Sequence, residues 1–293
     1  MANDRPFFGI ALFVFANFLT AIINAAAKYY SPELHSIQVT WGYFLSMTAY
    51  ILIFAVAKRI PLRTLYTTKR VRLHMLRSAI IVTSICSLFL GMSYLPMADT
   101  IAITFASPFI ITVLSIPILG EKVGLHRWSA VLVGLVGVLI VIRPSGTMHW
   151  AVIMPVISAF AFALFQIVTR KLSSTEPTLV ALFYTGAGSL FWTSLIVGFF
   201  WAPLTLEFVA MFFFIGLLGV AAHFMMIRAA EGAPVSLLAP FNYTKLIWAT
   251  ILGYYLFGHM PGLHVLTGTV IIVASGLYVL WREQRVRSAA MPS

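Results

Sequence analysis

The chain has 293 residues, of which 61% are hydrophobic and 9% charged, with a mean hydropathy of +0.97. Soluble domains carry about 25% charged residues, so this composition excludes a water-soluble protein and predicts an all-α integral membrane protein. The net charge of +11 fits membrane loops biased toward Lys and Arg better than nucleic acid, and no RGG or zinc-finger pattern accompanies it.

A hydrocarbon core of ~30 Å takes about 20 apolar residues of helix, and ten such spans can be read in chain order. The first, about 7–28, carries Asn17, Thr20 and Asn24, with Lys28 following. Steps of three and four put these on one helical face, where they either line a path or tie helices together. Arg5 ahead of the run and Ala25-Ala26-Ala27 behind it also permit a signal-peptide reading, but the run is longer than a signal core. The second span, about 36–57, holds Trp41. The third, about 78–95, holds the single cysteine, Cys86, which excludes an intrachain disulfide and a Cys-x-x-Cys site. The fourth, about 98–119, carries Thr104, Ser107 and Pro108. Proline there frees a carbonyl near mid-membrane, as a simple kink or facing a wet cavity.

The fifth span, about 128–142, is short. The sixth, about 150–169, holds Gln166, the seventh, about 178–200, holds Trp192, and the eighth, about 206–229, holds His223. His223 is either a hydrogen-bonded spacer or a substrate contact. The ninth, about 234–257, has Lys245 near its middle, and the tenth runs over about 263–281. Connections as short as Pro96-Met97 make neighbouring helices antiparallel hairpins.

Of the 19 Lys and Arg residues, all but Lys28, Arg143 and Lys245 fall on one side if both termini share it. The positive-inside rule then predicts cytoplasmic N- and C-termini in the cytoplasmic or inner membrane. Lys245 lies too deep for its side chain of roughly 6 Å to reach the surface across a half-bilayer of about 15 Å. None of the eight acids, Asp4, Glu33, Asp99, Glu121, Glu176, Glu207, Glu231 and Glu283, lies mid-span to pair with it. It is therefore deprotonated, held by carbonyls and water, or completed by an anionic group of a substrate. Asn242, Tyr243 and Trp248 surround it in sequence.

A shift of 138 residues superposes Pro96 on Pro234, Thr112 on Thr250, Gly120 on Gly258, Gly124 on Gly262 and His126 on His264. Upstream, a shift of 142 puts Asn24 on Gln166 and Lys28 on Arg170. This predicts two five-helix halves, 1–145 and 146–293. An odd helix number per half inverts the second half relative to the first, the architecture of alternating-access transporters. Ser107 and Lys245 become mates at the midplane.

The segment 107-SPFIITVLSIPILGEKVGLHRWSAVLVGLVGVLIVIRP-144 and its copy 243-YTKLIWATILGYYLFGHMPGLHVLTGTVIIVASGLYVL-280 resemble the EamA branch of the drug/metabolite transporter superfamily. The resemblance implies a transporter of small metabolites and leaves the solute open. Leu246 and His259 stand in the second copy where Pro108 and Glu121 stand in the first.

The inventory lacks His-Glu-x-x-His, Gly-x-Ser-x-Gly, paired intramembrane carboxylates and a Walker loop, so no enzyme, metal or cofactor is expected. The expectation is a secondary transporter of an anionic or zwitterionic metabolite, with Lys245, Asn242, Tyr243, Trp248, Ser107, Thr104, Asn24, Asn17, Gln166, Trp41 and His223 as candidate contacts. Without a mid-membrane carboxylate to relay protons, facilitated diffusion or exchange is favoured over proton coupling. A vitamin or other aromatic metabolite is the alternative solute, and a non-transporting scaffold or sensor the alternative class. Gly134, Gly137, Gly268 and Gly276 suit close helix packing within one copy or between two copies of a homodimer.

Overall fold

The computed structural model describes residues 6–120, 124–143, 149–173, 176–232 and 238–289. Glu121, Lys122 and Pro234 lie outside the described residues. Among those described, every regular element is helical, as a chain in lipid requires when each backbone polar group must be satisfied within its own segment.

The helices in order are α1 Pro6–Tyr29, α2 Ser36–Ala57, the short α3 Arg63–Tyr66, α4 Val71–Tyr94, α5 Met97–Thr104, α6 Ser107–Leu119 and α7 Leu125–Ile142. They continue with α8 Ile153–Ser173, α9 Thr178–Phe183, α10 Ser189–Val197, α11 Leu206–Gly232, α12 Thr244–Phe257 and α13 Leu263–Ala289. Among the described residues, seven helical stretches are long and apolar enough to cross a membrane, and Trp128–Ile142 and Leu263–Val279 are shorter apolar helices.

Three departures from the expected spans have physical causes. The third helix reaches back to Val71, so Arg77, expected in a loop, is helical and buried at 3% exposure. Hydropathy stops at charges, whereas a helix continues as long as its side chains find partners. The fourth span is two helices, interrupted at Phe105-Ala106, and Pro108 sits in the first turn of α6 where its missing N–H costs no bond. The ninth is also interrupted: a 3-10 turn, Ala239–Tyr243, precedes α12. Thr104 and Ser107, which bound the first break, stand 138 residues before Asn242 and Lys245, which lie at the second.

Both α6 and α12 end on a left-handed glycine, Gly120 at φ 69° and Gly258 at φ 67°. This backbone region is costly for residues with a Cβ. α1 packs on α11 and α12, α4 and α6 pack on α8, and α2 packs on α10 and α11. α7 packs on α13. A guanidinium nitrogen of Arg282 lies 3.3 Å from His126 Nε2, so the end of α13 meets the start of α7 and the two run antiparallel. At their crossing, a Cβ on Gly137 would come within 2.8 Å of the Gly268 carbonyl, and one on Gly268 within 2.6 Å of the Gly137 carbonyl. Small residues allow such backbone contact.

Several contacts recur at the two sequence offsets. Tyr50 Oη donates to the Phe213 carbonyl at 3.2 Å, and Trp192 Nε1 donates to the Met75 carbonyl at 3.0 Å. Tyr50 and Trp192 differ by 142 positions, Met75 and Phe213 by 138. Ser46 fills the space beside Gly216, and Ser78 the space beside Gly188, with serine and glycine exchanged at the same offsets.

Candidate functional site

The two helix breaks touch. The rings of Phe105, in the first break, and Tyr243, in the second, lie 5.1 Å apart between centroids, and α5 packs on α12. Tyr243 Oη occupies the space left by Gly276 on α13, where a Cβ would stand only 1.9 Å from it. Glycine is needed there by the neighbour's bulk, not by backbone conformation.

α1 holds the second break in place. Asn17 is fully buried, and its Nδ2 donates to the Phe241 carbonyl at 2.9 Å and to Thr244 Oγ1 at 3.1 Å. The bonds satisfy a carbonyl of the 3-10 turn and the first side chain of α12 immediately before Lys245. Asn17 Oδ1 is buried without a partner among the described residues. At the other end of the same α1 face, Lys28 Nζ donates to the carbonyls of Met92 at 2.6 Å and Leu95 at 2.8 Å. Its ammonium also lies 5.3 Å from the Phe257 ring centroid. The polar face of α1 therefore ties helices together at both ends. Between them, Asn24 is buried and makes no hydrogen bond among the described residues.

Lys245 lies in the first turn of α12 and is partly buried. Among the described residues its Nζ has no hydrogen bond and no ion pair. A charge at the bilayer centre costs about 2.5–3.5 kcal/mol on insertion scales, and nothing described here offsets that cost. His223 lies on α11. Its Nδ1 donates to the Gly219 carbonyl at 2.8 Å, and the ring is otherwise exposed. Trp248 packs on Phe18, ring centroids 4.9 Å apart, while its Nε1 is buried without a partner among the described residues.

The remaining predicted contacts divide. Thr104 bonds back to the Ile101 carbonyl at 2.7 Å, and Ser107 is buried at the start of α6. Trp41 belongs to a separate apolar cluster around α2, α10 and α11, where Nε1 donates to Ser194 Oγ at 3.0 Å. Gln166 is exposed on α8.

Sequence reasoning missed a second polar centre. Arg77 donates to Thr169 Oγ1 at 3.3 Å, to Thr185 Oγ1 at 2.6 Å and to the Ala181 carbonyl, and its guanidinium lies 5.2 Å from the Phe165 ring centroid. His74, one turn earlier and fully buried, stacks on Tyr184 at 4.7 Å, with Nε2 3.5 Å from Glu176 Oε2. Glu176 Oε1 accepts from Thr68 Oγ1 at 2.8 Å. Tyr184–Gly188 form a π-helical turn, an irregularity often met at functional sites. The three-residue step from His74 to Arg77 was a legible helical signal, hidden by assigning both to a loop.

The fold thus defines a polytopic helical membrane protein whose centre is built from two interrupted helices. Residues 7–143 match the EamA-like transporter family. It is 25% identical over 281 residues to the S-adenosylmethionine uptake transporter of Rickettsia bellii, covering 96% of both chains. It is 26% identical over 289 residues to the riboflavin transporter of Rhizobium johnstonii, covering 96% of this chain and 94% of the relative. The pseudopaline exporter CntI of Pseudomonas aeruginosa is 22% identical, covering 91% of this chain and 94% of the relative. A solved crystal structure 15% identical in sequence superposes over 97% of this chain and 98% of its own, with a TM-score of 0.63, and so shares the fold. These relatives are named as transporters, and the chain is a multi-pass membrane protein.

Proposed function

We propose that the protein is a secondary transporter of the cytoplasmic or inner membrane, moving a small anionic or zwitterionic organic metabolite by alternating access. Its halves, 1–145 and 146–293, are inverted five-helix repeats with both termini cytoplasmic. The matched helix breaks, matched left-handed glycines and exchanged Ser/Gly contacts support the repeat, since discontinuous helices at a repeat interface suit solute binding.

The observation that carries the solute class is Lys245. It is an ammonium-bearing side chain at a helix break, partly accessible and without an acidic partner among the described residues. A solute carboxylate or other anionic group completes the pair. Asn242, Tyr243, Trp248, Ser107, Thr104, Asn24, Asn17 and His223 are the proposed polar and aromatic surroundings, and Trp41 and Gln166, which lie elsewhere in the bundle, are left out of them. Organic cations are disfavoured, because two like charges in a site of low dielectric repel strongly. Facilitated diffusion or exchange is the proposed mode.

A second solute class, a vitamin or other flat aromatic metabolite, is favoured by the rings of Phe18, Phe105, Tyr243 and Trp248 around the same break and by the riboflavin transporter among the relatives. Proteoliposome uptake of a panel of carboxylates, amino acids, vitamins and organic cations separates the classes. Carboxylate-bearing solutes should be carried and should lose uptake in Lys245→Gln; carriage of cations alone would overturn the electrostatic assignment.

A further inference from the structure

The Arg77 centre lies at one end of the bundle, away from Lys245. Lys28 ties the C-terminal end of α1 to that of α4. His74 is in the first turn of α4, so it lies at the opposite end, about 30 Å away at 1.5 Å per residue. There it reaches Glu176, in the connection between α8 and α9, so the contact joins one half of the chain to the other. Three further contacts reinforce it. Thr68 holds the second oxygen of Glu176, Tyr184 Oη donates to the Tyr66 carbonyl at 3.0 Å, and Arg77 pins the start of the π turn through Ala181 and Thr185.

The other end carries a counterpart. Tyr30, in the connection after α1, donates from Oη to Glu207 Oε1 at 2.7 Å, and Glu207 is in the first turn of α11. The elements correspond under the repeat: the connection after α1 matches that after α8, and the start of α11 matches that of α4. This contact also joins the halves. Gln38 adds to it with two bonds to the Ala202 backbone, each 2.8 Å. The hydrogen bond to Glu207 pushes the Tyr30 hydroxyl up to about 12, so Tyr30 remains a neutral donor at physiological pH.

We infer that His74–Glu176 and Tyr30–Glu207 are paired latches that close the cytoplasmic and outer ends of the transport path, one breaking while the other holds. The inference rests on the two-halves transporter reading above. Both latches are closed in this structure, the arrangement of an occluded state. His74 and Glu176 are partners that separate as the cytoplasmic end opens. Arg77, held by three acceptors within the bundle, stays as the fixed post behind them.

Hydrogen–deuterium exchange on the full chain in lipid nanodiscs tests this. Glu176→Gln removes the carboxylate charge 3.5 Å from His74 Nε2 and leaves an oxygen for Thr68. It should speed exchange about tenfold in 176–188 and at the start of α4, as expected for loss of one charge-assisted contact. Exchange in 30–37 and 206–212 should not rise. Glu207→Gln should do the reverse, with Tyr30→Phe as the milder second variant. Loosening of both ends together in either variant, or of neither end, would overturn the latches. This readout needs no solute. If latch opening is sided but no solute is ever carried, the latches stand and the transporter reading falls. If solute flux is present but exchange is not sided, only the latches fall.

Discussion

Two basic side chains of this bundle, Arg77 and Lys245, are opposites. Arg77 is 3% exposed and surrounded by three acceptors and an aromatic face. Lys245 is partly accessible and, among the described residues, has no bonded partner. A buried charge held by acceptors on other elements ties helices together, because removing it strands its partners. An unsatisfied one at a helix break is a place for something to arrive. The chemistry of each residue type agrees: a guanidinium presents a rigid fork of five donors suited to fixed acceptors, while an ammonium on a flexible stem can follow a ligand.

The contrast is broken or sharpened by substitution. Lys245→Ala should give the largest functional effect, with solute flux in proteoliposomes falling at least about tenfold, the equivalent of about 1.4 kcal/mol of lost interaction. The yield and unfolding midpoint of folded protein should be unchanged. Flux equal to wild type would end the distinction. Arg77→Ala should do the converse, lowering stability by about 1.5–3 kcal/mol as expected for losing hydrogen bonds of a charged donor, read as a shift in the detergent unfolding curve. An unshifted curve would show that the Arg77 bonds are not structural.

Gly276→Ala tests the packing behind the Lys245 region. The added methyl stands 1.9 Å from Tyr243 Oη, so Tyr243 must move, at about 1–3 kcal/mol for overpacking. The double variant Gly276→Ala/Tyr243→Phe should recover most of that stability. Asn17→Ala should have the smallest effect, about 1 kcal/mol for lost neutral hydrogen bonds. It should also raise exchange of the Phe241 to Lys245 amides, since nothing else described binds the Phe241 carbonyl from α1.

Much of the architecture was legible from residues alone. The spans follow from apolar length, and the helix stops at Gly120 and Gly258 follow from one offset in the sequence. The same offset marks Ser107 and Lys245 as mates in the sequence. Asn17, Thr20, Asn24 and Lys28 were legible as one face, but the choice between path and tie was not, because a hydrogen-bonding side chain reads alike whether its partner is a helix or a solute. The Arg77 centre was illegible because its acceptors, Thr169, Ala181 and Thr185, are about a hundred residues away along the chain.

The sequence by itself determined that this chain lives in a membrane and that two stretches share glycine landmarks at a constant offset. These are properties of composition and local order, which lipid and backbone geometry read directly. Only the tertiary structure decided which polar residues are already paired. Partnership is a distance between residues remote in sequence. It separates Arg77, anchored by three acceptors, from Lys245, whose ammonium is left without a described partner where the two helix breaks meet.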